Sequence, residues 1–101
     1  MFFGTWLLLA CQLSSEYYVR ITNQNSDDLI NVTVGSAKFG AVTSGSTTSY
    51  YRIPEGNSAV NGQYKSNPTV LLKGSVTATG NGNHKWTVTI SSTGTLSVKE
   101  D

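Results

Sequence analysis

From Tyr17 onward the chain alternates apolar and polar residues with a period of two, and turn-forming residues interrupt the alternation at short intervals. Tyr17, Val19 and Ile21 alternate with Tyr18, Arg20 and Thr22. Ile30, Val32 and Val34 alternate with Asn31 and Thr33. Trp86, Val88 and Ile90 alternate with Lys85, Thr87 and Thr89, and Leu96 and Val98 repeat the theme. Successive side chains of a strand point to opposite faces, so this pattern predicts strands with one apolar and one wet face. Thr and Val dominate these segments, as β-branched residues do in sheets. No window sustains helical spacing.

The punctuation divides the chain. Asn23 to Asp28 reads as a loop, Gly35-Ser36 as a tight turn, Gly40 as a bulge, and Ser44-Gly45-Ser46 as a second turn. Pro54-Glu55-Gly56-Asn57, Gly62, Asn67-Pro68, a hairpin connection at Gly80-Asn81-Gly82-Asn83, and Thr93-Gly94 follow. Strands are predicted at about 16–23, 29–35, 37–42, 46–53, 58–65, 69–78, 84–92 and 94–99. The expected fold is all-β: an immunoglobulin-like β-sandwich of seven to eight short, mainly antiparallel strands. A true immunoglobulin domain carries two cysteines and this chain has one, so the expectation concerns architecture alone. The expected core comprises Tyr17, Val19, Ile21, Ile30, Val32, Val34, Phe39, Val42, Tyr51, Ile53, Val60, Val70, Leu72, Val76, Trp86, Val88, Ile90, Leu96 and Val98. Trp86 is its expected central aromatic.

Composition narrows the function classes. The 101 residues suffice for one domain. Charged residues make up 13%, against about 25% in an average globular protein. Thirteen Ser, thirteen Thr, eight Asn and ten Gly supply the polar surface instead. A net charge of +1 gives no overall attraction to nucleic acid or to an anionic membrane.

Phe2 to Ala10 is the most apolar stretch and contains no charge. It is too short to span a bilayer as a helix, which takes about 20 residues, but it fits the apolar region of a secretory signal. It ends in Leu8-Leu9-Ala10-Cys11, which resembles the bacterial lipobox, an apolar, a variable and a small residue before a cysteine. The resemblance implies cleavage before Cys11 and lipidation of its thiol, with the membrane reached through that anchor. Residues 1–10 then form the signal segment, 11–16 a tether, and 17–99 the β-sandwich domain. A plain secretory signal and a hydrophobic first strand with Cys11 as a buried thiol remain open alternatives. Three further segments, Tyr18-Val19-Arg20-Ile21-Thr22-Asn23, Phe39-Gly40 through Gly45-x-Thr47-Thr48-x-Tyr50, and His84-Lys85-Trp86-Thr87-Val88-Thr89-Ile90, carry a wider likeness. Together with the lipobox they resemble small surface lipoproteins of spirochaetes and Bacteroidota with an immunoglobulin-like or transthyretin-like domain. That family implies an exported β-domain at the cell envelope and brings no catalytic residues.

The residues offer little chemistry. His84, the single histidine, reads as a surface residue beside a hairpin loop, and no Gly-x-Ser-x-Gly elbow is present. One His and one Cys make no zinc site. Asp27 and Asp28 with Asn23, Asn25 and Asn31 offer oxygen to a calcium ion, but such residues populate turns because they bond their own backbone. No metal, cofactor or catalytic residue is therefore expected. Asn31-Val32-Thr33 matches a glycosylation acceptor, a pattern of little weight in a bacterial cell. The doublets Tyr17-Tyr18 and Tyr50-Tyr51 put one ring of each pair outward. Tyr18, Tyr50 and Tyr64 are thus the candidate binding face for a protein or glycan, because tyrosine offers broad contact and a polar tip. The expected role is a non-enzymatic binding or structural module. The alternative is a self-associating subunit in which residues 2–10 add a strand to a neighbour.

Overall fold

A computed structural model of the protein describes residues 15–101. The signal segment, Cys11 and the donor segment 2–10 lie outside those residues. Eight strands follow in order: β1 (Glu16–Asn23), β2 (Leu29–Val34), β3 (Ala37–Val42), β4 (Tyr51–Ile53), β5 (Gly56–Tyr64), β6 (Gly74–Ala78), β7 (Asn83–Ile90) and β8 (Leu96–Glu100). They form two four-stranded sheets, β4-β1-β7-β8 (sheet 1) and β3-β2-β5-β6 (sheet 2). The inner faces meet in one hydrophobic core, so the fold is an all-β sandwich. Every ladder is antiparallel except β1 with β7, which run parallel from Glu16 opposite Asn83 to Asn23 opposite Ile90. Glu16, expected both in the tether and at the start of the first strand, belongs to β1.

The alternation survives best in sheet 1. Tyr17, Val19 and Ile21 of β1 and Trp86, Val88 and Ile90 of β7 face inward and are buried. On β2 the phase slips. Leu29, Val32 and Val34 are buried, whereas Ile30, expected inside, is half-buried. Two residues of β2 stand where β3 and β5 each have one between the Leu29 or Ile30 pair and the next, so β2 carries a bulge there. Asn31 absorbs it with φ of 53°, a left-handed conformation that Asn tolerates better than most side chains. On β3 the bulge expected at Gly40 is present, with φ of 69° and a register shift opposite Val32 and Thr33.

Four further core expectations, Tyr51 and Val98, which are exposed, and Phe39 and Leu96, which are half-buried, fail for one reason: strand period gives the face but not the distance from the edge. Tyr51 stands opposite Val19 on edge strand β4 and is 42% exposed. Its ring packs on half-buried Phe39 of edge strand β3 at 4.6 Å, closing that flank of the sandwich. Val98 stands opposite Val88, but on edge strand β8 it is 37% exposed. Val70 precedes β6 in a loop rather than lying in a strand from residue 69. The turn there is fixed by Val70 N–H to Asn67 O at 3.0 Å. The strand expected over 46–53 is also broken. Ser46 and Thr48 do bond along β1, but Thr48 Oγ1 accepts the Ile21 N–H at 3.0 Å and replaces a ladder bond. Only 51–53 remains as β4. Finally, the segment Gly80–Asn83 is no hairpin: it crosses from β6 in sheet 2 to β7 in sheet 1.

Asn23 is a fully enclosed polar side chain at the end of β1. Its Nδ2 donates to the carbonyls of Asp27 (2.9 Å) and Val42 (3.1 Å), and its Oδ1 accepts the Asn25 N–H at 2.9 Å. One amide thereby holds β1, the loop after it and the end of β3. Asn23→Ala leaves these buried partners unbonded and should cost about 2–3 kcal/mol. Urea unfolding monitored by Trp86 fluorescence measures it, and Asn23→Asp should not rescue, since a carboxylate cannot donate to two carbonyls.

Candidate functional site

The outward residues of sheet 1 form two rows across the strands. Arg52 of β4, Tyr18 of β1 and Lys85 of β7 stand side by side, and the Asp101 N–H donates to the Lys85 carbonyl at 2.8 Å. In the next row Arg20 of β1, Thr87 of β7 and Lys99 of β8 are neighbours. The break before β4 turns Tyr50 onto this face. The Arg20 guanidinium and the Lys85 ammonium each lie 4.8 Å from the centre of its ring. Asp101 ties the arrangement together: it accepts the Tyr50 hydroxyl, accepts the Thr87 hydroxyl at 2.8 Å, and lies 3.9 Å from Arg20 Nε. The Tyr50 bond holds the Asp101 carboxyl below the usual carboxylate range and the phenol above its ordinary value. Tyr18 donates to Glu16 at 2.6 Å, which raises its pKa in the same way, and Glu16 lies 3.8 Å from Arg52.

Of the three tyrosines singled out from sequence, then, Tyr18 and Tyr50 share one face and flank Lys85. Tyr64 does not join them. It lies at the end of β5 in sheet 2, packs against the core, and lines a cleft of about 460 Å³ with Leu71, Leu72, Lys73 and Leu96. Sequence reasoning missed Arg20, Lys85 and Asp101. The signal for the first two was their outward phase on strands whose inward residues were already identified.

His84 is not a free surface residue. It lies on the inner side of β7 at one end of the core, its ring 6.2 Å from Tyr17 and 5.9 Å from Trp86. Trp86 is buried as expected but belongs to this terminal aromatic cluster, while the fully enclosed centre is aliphatic. Nδ1 of His84 lies 2.6 Å from Glu100 Oε2, and Nε2 lies 2.7 Å from the Asn81 carbonyl. Both partners only accept, so both ring nitrogens must donate, and only the imidazolium does that. Beside it, Tyr17 donates to the Gly80 carbonyl at 2.6 Å. A cavity of about 390 Å³ opens at this end, bounded by Tyr17, Arg52, Pro54, Glu55 and the Gly80–Asn81 crossover.

The residues weighed as oxygen ligands are spread among local bonds. Asp27 accepts from Ser66, Asp28 accepts the Ser44 N–H at 2.8 Å, and Asn31 donates to Gln63 at 2.8 Å. Among the described residues no group of three or more His, Cys, Asp or Glu side chains is placed to hold a metal ion. Comparison with protein-family models, with curated proteins and with solved structures found no match to this chain.

The Glu100 bond, with the Asn81 carbonyl, raises the His84 pKa above its ordinary value. Because the folded pKa exceeds the unfolded one, this stabilisation is complete below about pH 6.5 and fades as pH rises through the folded value. The melting temperature should therefore fall as pH rises from about 6 toward 8. His84→Gln should flatten that slope, as scanning calorimetry across the range would show.

Proposed function

We propose that the protein is an exported, non-enzymatic β-sandwich module, anchored at the bacterial cell envelope through a lipid on Cys11, with a binding or structural role. What carries the reading is the order along the chain. An uncharged apolar run ends in Leu8-Leu9-Ala10-Cys11, and five residues later, at Glu16, begins a sandwich whose two sheets share one hydrophobic core. This order suits a tether followed by an independent body. Acyl chains gain about 0.8 kcal/mol per buried methylene, so two or three of them anchor firmly. The outer face of sheet 1, with Tyr18 and Tyr50, is the proposed binding face, and protein or glycan the partner class.

One observation favours a second reading, a self-associating subunit. The Asp101 N–H to Lys85 carbonyl bond sets the phase of the β7–β8 ladder, so the backbone groups of Leu96, Val98 and Glu100 point away from β7. Val98 is exposed on that open edge, which suits addition of a strand.

Intact-mass spectrometry of the protein from bacterial membranes should give a species beginning at an acylated Cys11. Cys11→Ser should move the protein out of the detergent phase. An unmodified chain retaining Met1 in high-mass assemblies on size exclusion would instead support strand addition.

A further inference from the structure

The charges of this near-neutral protein are not evenly spread. Arg20, Arg52, Lys85 and Lys99, four of its seven cations, share the outer face of sheet 1 with Glu16 and Asp101, two of its six anions. That face carries two surplus positive charges, although the whole chain carries +1. The two carboxylates are already engaged, Glu16 by Tyr18 and Arg52, and Asp101 by Tyr50, Thr87 and Arg20. Lys85 and Lys99 form no ion pair among the described residues. The tyrosine–carboxylate bonds hold the anions down and leave the ammonium groups as the outstanding charges.

The surroundings say what kind of anion fits. The exposed aliphatic side chains of Val70 and Leu71 lie elsewhere, in the loop after β5, so this face offers a bilayer no aliphatic anchor, and its two tyrosines already donate their hydroxyl protons to Glu16 and Asp101. It offers hydroxyls instead: Thr22, Thr89 and Ser97 form a third row beside that of Arg20, Thr87 and Lys99. Neighbouring strands are about 4.8 Å apart, so Arg20 and Lys99 stand roughly 10 Å apart at the backbone, as do Arg52 and Lys85. Hydroxylated and cationic in successive rows, the surface matches a chain of sugars with carboxylates at intervals.

We propose that the outer face of sheet 1 binds an anionic polysaccharide, with Lys85 and Lys99 meeting its carboxylates and the Thr and Tyr hydroxyls meeting its sugar hydroxyls. This rests on the reading of that face as the binding face and adds the ligand class. The ions are exposed, so salt weakens the complex.

Affinity electrophoresis in gels containing alginate, a polyuronate, tests it, with neutral dextran as the reference matrix and circular dichroism to verify folding. The protein should be retarded by alginate and not by dextran, and less so as salt rises. K85A/K99A should weaken alginate binding about four- to twenty-five-fold, two- to fivefold for each exposed pair lost. K38A/K65A removes the same charge away from this face and should leave binding unchanged. No retardation, or equal weakening by both double variants, would overturn the proposal. So would tighter capture by phosphatidylglycerol vesicles or single-stranded DNA than by alginate. Retardation by dextran that Y18A/Y50A abolishes would discard the anion while keeping the face. None of these outcomes bears on the lipid at Cys11, which the mass measurement reads separately.

Discussion

β1 lies in the middle of sheet 1, between β4 and β7, and supplies residues to both surfaces of that sheet. Its inward side chains, Tyr17, Val19 and Ile21, are core, and Asn23 closes the loop end. Its outward side chains, Glu16, Tyr18, Arg20 and Thr22, run down the polar face. Period two forces this coupling: a shift of one residue along β7 would send Arg20 into the core and Ile21 into water. The same ladder that builds the hydrophobic interior therefore fixes which charges meet outside. Glu16, Arg20, Lys85 and Thr87 owe their positions to the register of buried neighbours.

The two ends of the sandwich differ in chemistry. At the end where β1 begins, Tyr17, His84 and Trp86 cluster, and the crossover carrying Gly80 and Asn81 is fastened by a phenol and an imidazolium. At the other end Asn23 and Asn25 hold the loops with neutral amides, Asn25 Nδ2 reaching the Ser91 carbonyl at 3.1 Å. Among the described residues, only the first end contains a histidine. The two poles should respond differently to acidity while sharing one core.

Much of the fold was legible in the sequence because a strand announces itself locally. The alternation of β1 and β7 gave their faces, Gly40 marked a bulge, and Gly35-Ser36 marked the hairpin between β2 and β3. What escaped depended on nonlocal partners. Asn31 looks like an ordinary polar position until β3 and β5 impose the bulge that turns Ile30 partly outward. Tyr51 and Val98 keep the phase of inward residues, but no local pattern marks their strands as edges. Gly80–Asn83 has hairpin chemistry yet joins different sheets. The site divides along the same line: the outward phase of Tyr18 was readable, whereas the meeting of Tyr50 with Asp101 and the departure of Tyr64 to the other sheet follow from topology.

The parallel pairing of β1 with β7 also sets a schedule. Arg20 and Thr87, bonded side by side, are 67 residues apart in the chain. Contacts of such long range are slow to form, because the intervening loop must close before they reward it. As the chain emerges from a ribosome, β1 can meet β4 once residue 53 is made, but its longer ladder waits for β7. Until then sheet 1 has no middle. A polypeptide built this way closes its interior only when its synthesis is nearly over.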